Sequence, residues 1–360
     1  MAAEAYINRI ATAVPKHDVH RFFIDFAESQ LAEDERRRSI FSRMADRGGI
    51  EHRYSCFEPS RDPEGDSVDL EGIFQRNAFP GTAKRMEMFA SAAPALAEDA
   101  VESLLIGLRR DEITHVIVTT CTGLSAPGLD LDLVARCGLR TNVERTIIGF
   151  MGCYAAINAL KLARHIVRAE DGAKVLVVNI ELCTLHLRQT TDLEKLLSFC
   201  LWGDGCAAAL ISAEPAGLRL DRFHAIVAAE SRELMSWSIL DDGFDMVLSG
   251  QVPLAIHDAL QQDIGDILGN KSVADIDMWA IHPGGRSVLD AVERALDLDP
   301  DALTDSREVL RDNGNMSSAT VMFVLQRMLE AKAHSGVGCA MAFGPGLTAE
   351  TMMFHKTAAA

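Results

Sequence analysis

The chain has 360 residues, enough for one large domain or two of ordinary size, and 48% of them are hydrophobic and 24% charged, as in globular proteins. Its formal net charge is −17, so the surface as a whole repels nucleic acid and anionic membranes, and we expect neither as a partner. No apolar run reaches the roughly 18 residues of a membrane span, and the first residues lack the apolar core of a signal peptide. The eight cysteines are scattered without CxxC pairs or metal-ligand spacing, which predicts reduced thiols, a cytoplasmic protein and no metal.

Apolar runs of strand length alternate with longer helical patterns along the chain. A stretch rich in Gly, Pro and Asp comes first and predicts a long irregular loop at 57–83. The strand-length runs predict strands at 114–120, 173–181, 206–212, 277–283, 336–344 and 348–355. The helical patterns predict helices at 84–108, 153–169, 252–269, 285–297 and 316–334. Because the strands are continuously apolar, they predict an α/β protein whose sheet is covered on both faces.

The order of these elements repeats coarsely. Residues 110–212 contain a strand, a helix and then two strands, and residues 277–355 follow a similar order. We interpret the repeat as two similar α/β halves that meet near 213–222, at "AEPAGLRLDR". The predicted domains are 1–215 and 216–360.

Cys153 lies between a glycine-containing turn and a helical pattern, in "GFMGCYAAINAL". Gly149 and Gly152 permit a sharp turn, and the run from Tyr154 to Arg168 predicts an amphipathic helix. The N-terminal end of a helix stabilises a thiolate and offers N–H groups to an oxyanion, which makes Cys153 a candidate nucleophile. A small buried packing residue is the alternative interpretation.

His282 and Asn315 are the other two residues with a chemical signal. His282 ends the apolar strand in "WAIHPGG", and ligands collect at strand ends in α/β sheets. A histidine there can transfer a proton near neutral pH, although a hydrogen-bonded structural histidine fits the same pattern. Asn315, in "DNGNMSSAT", is either a helix N-cap or an amide donor to a developing oxyanion.

Together the three residues supply a nucleophile, a base and an amide donor. The order Cys, His, Asn also occurs in papain-like proteases, so a cysteine hydrolase is a competing class. Those enzymes place the cysteine near the mature N-terminus in a C-G-[SA]-C-[WY] setting, whereas Cys153 is in the middle of a repeated α/β pattern.

Five stretches carry a stronger signal than any single residue: "GFMGCYAA", "LWGDGCAAALIS", "WAIHPGGRSVLDAVE", "NGNMSSATVMFVL" and "AFGPGLTAETMMFH". In this order, over residues 5–355, they resemble the type III polyketide synthases, the chalcone and stilbene synthase superfamily. The resemblance implies a thiolase-like fold of duplicated αβαβα halves in a five-layered sandwich, a homodimer, and a catalytic centre of Cys153, His282 and Asn315. A single-round condensing enzyme of the ketoacyl synthase III type shares these residues and is an alternative, although it usually lacks the closing block.

The resemblance also implies the reaction. A Cys153 thiolate paired with a His282 imidazolium would attack an acyl-CoA, and His282 and Asn315 would then stabilise the enolate formed as malonyl-CoA loses CO2. Repeated extension and cyclisation would give a pyrone, a resorcinol or another aromatic polyketide. No cofactor is implied, because decarboxylation supplies the carbanion.

CoA is polyanionic, so an acidic protein needs a local basic site to bind it. Arg43 and Arg47 lie four residues apart on one helical face and match family positions that contact CoA phosphates. The family often has a third basic residue where Ile40 stands here, and a solvated basic helix is the other interpretation of these arginines.

The resemblance further implies a substrate pocket whose walls set the product. Trp202 stands where a buried phenylalanine is more usual, and Cys121 where plant enzymes have threonine. Trp237 aligns with a position where the family usually has a small glycine, and Met246 with one where a gating phenylalanine is usual. These departures from the plant pattern favour a microbial enzyme that makes alkylpyrones, alkylresorcinols or a small aromatic. The predicted pocket residues are Trp202, Cys121, Thr122, Cys183, His186, Ser198, Trp237, Met246 and Ser317.

Overall fold

Strands and helices alternate along most of the chain in the computed structural model, which describes residues 3–228, 231–332 and 335–357. The strands are β1 (Tyr6–Ala13), β2 (His17–Asp18), β3 (Tyr54–Ser55), β4 (His115–Thr120), β5 (Glu144–Gly149), β6 (Lys174–Leu182), β7 (Asp204–Ser212), β8 (Leu218–Val227), β9 (Met235–Leu240), β10 (Gly243–Leu248), β11 (Met278–Ile281), β12 (Gly336–Gly344) and β13 (Thr348–Lys356). The helices are α1 (His20–Gln30), α2 (Glu35–Asp46), α3 (Thr82–Leu104), α4 (Leu129–Arg136), α5 (Ala155–Ala169), α6 (Leu193–Phe199), α7 (Val252–Leu268), α8 (Arg286–Leu296), α9 (Thr304–Asn313) and α10 (Thr320–Glu330).

The predicted strands and helices all form, with some shifts at their ends. The helix predicted at 316–334 begins only at Thr320, because Ser317–Ala319 forms a tight 3-10 turn in which Ser317 has φ +47°. The end of that prediction, at 333–334, lies outside the described residues. The patterns missed three strands of the large sheet, β1, β5 and β8, which are exposed or only partly buried and lack the continuous apolar run of a buried strand.

One large sheet contains the main strands, in the order β11-β12-β13-β8-β1-β7-β6-β4-β5. On one side of it β4 pairs in parallel with β6, and β6, β7 and β1 follow in antiparallel pairs. On the other side β11 pairs in parallel with β12, and β12, β13 and β8 follow in antiparallel pairs. The two runs therefore repeat one pairing scheme. They join at β1 and β8, where only two residue pairs are in register.

Three apolar clusters separate the layers of the molecule. The central cluster packs α5 and α10 between one face of β6 (Val175, Val177) and one face of β12 (Ala340, Ala342). A second cluster packs α3 on the opposite face of β6, and a third packs α7 and α8 on the opposite face of β12. The layers are thus helix, sheet, helix, sheet, helix, which confirms the predicted α/β fold with five layers.

Strand direction brings the candidate residues to one edge of the layers. The parallel strands β4 and β5 end together at Thr120 and Gly149, so Cys121 and the turn before α5 lie at the same end. β11 ends at Ile281, directly before His282. The turns that precede α5 and α10 contact each other, which places the N-termini of the two central helices side by side. No helix within the described ranges is long and apolar enough to cross a membrane.

Candidate active site

Cys153 lies in a buried 3-10 turn, Gly152–Tyr154, directly before α5. The chain reverses here through two left-handed residues, Phe150 (φ +60°) and Gly152 (φ +73°). A Cβ atom at Gly152 would lie 2.4 Å from Cδ of Pro345, so only glycine allows the "FGPG" segment to pack on the cysteine turn. Gly149 has no such constraint, because its nearest neighbour would be 3.9 Å away. Of the two glycines expected to permit the turn, Gly152 is therefore the one that the geometry requires.

Asn315 connects the cysteine turn to the loop that follows His282. Its Nδ2 donates to the carbonyl of Gly284 at 3.1 Å, and its Oδ1 accepts from the amide of Ser317 at 2.9 Å. The Asn315 and Ser317 side chains also lie close enough to the Cys153 thiol to oppose the rise of its pKa. The N-cap of α10 is Ala319, so Asn315 is not the cap of that helix. Its side chain is instead held facing the thiol.

His282 is buried, and its backbone amide donates to the carbonyl of Met341 at 2.8 Å. Neither ring nitrogen has a hydrogen-bond partner among the described residues. A Cβ atom at Gly284 would lie 3.6 Å from Nε2, so the imidazole is next to the loop that Asn315 holds. Buried polar atoms are normally satisfied, and the unpaired imidazole next to this loop is therefore available to a substrate.

Burial sets the protonation of both groups in the substrate-free chain. It raises the pKa of the Cys153 thiol to about 12, against the opposing hydrogen bonds from Ser317 and Asn315. Burial also lowers the pKa of His282 to about 3. The resting site thus favours a neutral thiol and a neutral imidazole, which differs from the thiolate–imidazolium pair that the family resemblance implies.

Three predicted residues form a compact apolar cluster in this site. Cys153, Cys183 and Trp202 are buried together, and Phe199 and Met246 pack against them. The backbone of Trp202 also forms a parallel bridge with that of Asn315, which joins the two segments. The predicted pocket positions Cys183, Trp202 and Met246 therefore surround Cys153.

Cys121, Thr122 and Ser317 belong to a polar network near Cys153. Cys121 Sγ is 3.2 Å from Ser317 Oγ and 3.4 Å from a carboxylate oxygen of Glu181. Thr122 Oγ1 donates to Glu181 at 2.9 Å. Glu181 is fully buried, and burial raises its pKa. Sequence reasoning missed Glu181, although a carboxylate at the end of the apolar run "VLVVNIE" was a usable signal.

His186 and Trp237 form a rigid wall rather than a reactive one. His186 Nε2 donates to the carbonyl of Thr122 at 2.7 Å, and Nδ1 accepts from the amide of Phe244 at 3.2 Å. Its ring stacks on Phe244 at 4.1 Å, and burial lowers its pKa to about 3. Trp237 Nε1 donates to the carbonyl of Cys121 at 2.9 Å, which places its ring 6.3 Å from that of Trp202.

A pocket of about 680 Å³ has in its lining Gly284, whose carbonyl accepts from Asn315. Cys153, His282 and Asn315 themselves do not line it. Ser198 and Arg47, both predicted site residues, lie in its lining. Arg43 is exposed one turn earlier on α2, where its Nε donates to the carbonyl of Ser39, and it is not a lining residue. Arg286 lines the pocket and donates to the carbonyl of Arg47 at 3.2 Å. Sequence reasoning missed Arg286, which directly follows "HPGG".

Comparison with known proteins agrees with this arrangement. Residues 2–215 match the family model of the chalcone and stilbene synthase N-terminal domain, and residues 224–358 match that of the C-terminal domain. The chain is 33% identical over 367 residues to the alpha-pyrone synthesis polyketide synthase-like Pks18 of Mycobacterium tuberculosis, covering 97% of this chain and 91% of that protein. It is 34% identical over 340 residues to bisdemethoxycurcumin synthase of Oryza sativa subsp. japonica, covering 88% and 83%.

A solved structure supports the same assignment. PKS-I of the brown alga Ectocarpus siliculosus superposes with a TM-score of 0.89 at 27% identity, and the alignment covers 99% of each chain. This likeness confirms the thiolase-like architecture that the five layers indicate. With both family models matched along the chain, the protein belongs to the chalcone and stilbene synthase family and is a type III polyketide synthase.

Proposed function

We propose that Cys153 carries an acyl group which the enzyme extends repeatedly with malonyl-CoA and then releases by cyclisation. The observation that supports this most directly is the unpaired imidazole of His282, buried next to the Gly284 loop that the Asn315 amide holds. We propose that the thioester enters through the pocket that has Gly284 in its lining.

Acyl transfer begins from neutral groups in this proposal. His282 takes the thiol proton as Cys153 sulfur attacks the thioester carbonyl, and the positive end of α5 favours the negative charge that develops. The tetrahedral intermediate collapses, the CoA sulfur leaves, and the proton on His282 passes to it. The acyl group is then bound to Cys153 as a thioester, and the imidazole is neutral again.

Chain extension uses the same two polar groups. When malonyl-CoA loses CO2, the electrons of the broken carbon–carbon bond form an enolate, and its oxygen accepts hydrogen bonds from His282 and Asn315. The enolate carbon attacks the acyl thioester and releases Cys153, which lengthens the chain by two carbons. Because decarboxylation supplies the carbanion, we propose that this step requires neither a metal nor an organic cofactor.

The first test is condensation with a panel of acyl-CoA starters and malonyl-CoA, followed by CO2 release and mass spectrometry. Pyrones are the first products to seek, given the similarity to an enzyme named for alpha-pyrone synthesis. We expect Cys153→Ala to lower product formation about a thousandfold or more, and His282→Gln to lower decarboxylation about a hundredfold. Cys339→Ala, which removes a buried thiol of β12 outside the site, should retain activity.

Other outcomes of this assay would identify the competing classes. A single extension with a preference for a carrier-protein substrate would indicate a ketoacyl synthase III-like enzyme. Thioester hydrolysis that needs no malonyl-CoA would indicate a cysteine hydrolase. Polyketide formation by Cys153→Ala would contradict the covalent mechanism.

The second test concerns the protonation of Cys153. With a pKa near 12, the thiolate fraction rises about tenfold per pH unit, so iodoacetamide labelling of Cys153 should accelerate from about pH 6 to about pH 9 without levelling off. Peptide mass spectrometry gives the rate for this residue separately from the other cysteines. If the labelling rate instead levels off before the pH reaches about 8, Cys153 forms a preformed ion pair with His282.

We also propose that Arg47 and Arg286 bind the phosphates of the CoA moiety at the pocket mouth. Arg47 forms no ion pair with any described residue. Among the same residues, the one ion pair of Arg286 is a long one, 3.6 Å to Asp290. On a protein of net charge −17, these guanidinium groups attract a polyanion locally. Arg43 bonds the carbonyl of Ser39 through Nε and lies outside the pocket lining, so we assign it no phosphate.

Charge reversal tests this CoA site. Arg47→Glu and Arg286→Glu should each raise KM for acyl-CoA roughly tenfold at low salt and leave KM for N-acetylcysteamine thioesters unchanged, since those substrates lack phosphates. Arg294→Glu, an exposed change on the same helix as Arg286 and outside the pocket, is the matched control. Equal effects on both substrate types would contradict phosphate binding.

The exposed edge of the sheet supports a homodimer. β5 pairs only with β4 in the described sheet, and Ile147 on it is 43% exposed, close in sequence to exposed Met151. Unpaired edges with apolar side chains are normally covered, and a second copy of the chain offers the same edge.

We also propose that the protein is located in the cytoplasm.

Sedimentation velocity measures the association state. We expect a dimer at micromolar concentrations and a largely monomeric Ile147→Asp variant, because the new carboxylates would be buried unpaired at the interface. Leu254→Asp, at a 65% exposed position on α7, should remain dimeric. A wild-type monomer would contradict the proposal.

A further inference from the structure

Three side chains meet at the end of the sheet opposite to Cys153. His115 is the first residue of β4, Glu144 is the first residue of the neighbouring edge strand β5, and Glu170 directly follows α5. One imidazole nitrogen and one oxygen of each carboxylate all lie within 4.8 Å of one another. The residues are far apart in sequence, so no short metal-binding motif marks them.

His115 is the buried member of this cluster, and its ring is aimed at the two carboxylates. Its side chain is 7% exposed, whereas those of Glu144 and Glu170 are 73% and 53% exposed. Nε2 is 3.6 Å from an oxygen of each glutamate and forms no hydrogen bond with the described residues. This nitrogen therefore faces two carboxylates at 3.6 Å and forms a hydrogen bond with neither.

The other ring nitrogen lies next to a hydroxyl, which can orient the ring and select its tautomer. Nδ1 is 2.8 Å from Thr114 Oγ1, and this hydroxyl is also 3.1 Å from the carbonyl of Lys174 and receives the amide of Lys174 at 3.0 Å. When this hydroxyl donates to the carbonyl of Lys174, it accepts from Nδ1–H, and in that tautomer the lone pair of Nε2 faces the carboxylates.

The distances fit one small divalent ion. Zinc bonds of about 2.0–2.2 Å to nitrogen and oxygen at a tetrahedral angle place the ligand atoms roughly 3.4 Å apart, near the two 3.6 Å separations observed. Glu170 follows the C-terminal end of α5, where the helix dipole also favours a cation. An ion there would neutralise both carboxylates and leave a fourth position for water.

We propose that His115, Glu144 and Glu170 form a structural binding site for Zn²⁺ or a similar divalent ion. The ion would join β4, the edge strand β5 and the end of α5, the helix whose opposite end follows Cys153. It lies at the far end of β4 and β5 from the thiol, so it stabilises the layer and takes no part in condensation. This inference is independent of the proposed reaction.

Metal titration of the chelator-treated full chain tests the site. We expect one Zn²⁺ or Co²⁺ per chain, a higher melting temperature with Zn²⁺, and a visible ligand-field spectrum of bound Co²⁺ without thiolate charge transfer. Glu144→Gln and Glu170→Gln keep the side-chain shape at exposed positions and should each weaken binding about tenfold or more. Asp171→Asn, at the exposed position next to Glu170, is the matched control and should bind normally.

Several results would overturn the proposal. These are the absence of stoichiometric binding, a Co²⁺ spectrum with thiolate bands, and binding that the glutamine variants leave unchanged. If the glutamine variants lose the same heat stability with and without metal, the cluster is an ion pair around a protonated His115. Condensation activity is measured in parallel and should change less than twofold in all three variants, so failure of this site and failure of the proposed reaction are separable.

Discussion

The close contact between the cysteine turn and the "FGPG" segment is the constraint on which the site depends. Gly152 lies against Pro345, and Gly344 lies against the ring of Tyr154, where added Cβ atoms would be 2.4 Å and 2.6 Å from their neighbours. The first turn precedes α5 in one half of the repeated pairing scheme, and the second ends β12 in the other half. Two residues without side chains thus let the halves approach until Cys153 reaches the residues that follow β11 and α9. Any larger residue at either position would separate the thiol from its partners.

Burial around Cys153 determines how the chemistry can proceed. Desolvation holds both the thiol and the imidazole in their neutral forms, while the hydrogen bonds from Ser317 and Asn315 and the end of α5 oppose it for sulfur. Charge is then created only when a thioester is present to be attacked. A site that stays uncharged at rest avoids the cost of desolvating an ion pair in an apolar cluster that includes Trp202 and Cys183. The same dryness strengthens each hydrogen bond to an enolate.

The sequence predicts the buried parts of the fold better than the exposed ones. The strands β6, β7 and β12 are covered on both faces, so their continuous apolar runs identify them directly. β5 is an edge strand with charged and exposed residues, and no local pattern distinguishes it from a loop. α10 begins at Thr320, four residues after its predicted start at 316, because helical periodicity does not reveal the left-handed conformation of Ser317.

For the site, the sequence indicates the types of the candidate residues but not their protonation or their contacts with distant parts of the chain. The identities of Cys153, His282 and Asn315 follow from motif and order, and the structure brings them to one edge of the layers. Their protonation does not follow from sequence, because it depends on how completely tertiary packing excludes water. Glu181 and Arg286 were missed because their importance comes from contacts with residues distant in the chain: the Cys121 network for one and the pocket beside Arg47 for the other.

The indole of Trp237 is anchored to a backbone carbonyl, that of Cys121, and not to a side chain. His186 is fixed in the same manner, by the carbonyl of Thr122 and the amide of Phe244. Substitution of the side chain at 121 or 122 therefore leaves both anchors in place. The side chains at 121 and 122 can therefore change while the wall formed by His186 and Trp237 keeps its position. The polarity of the site and its size can thus vary independently during the divergence of related enzymes.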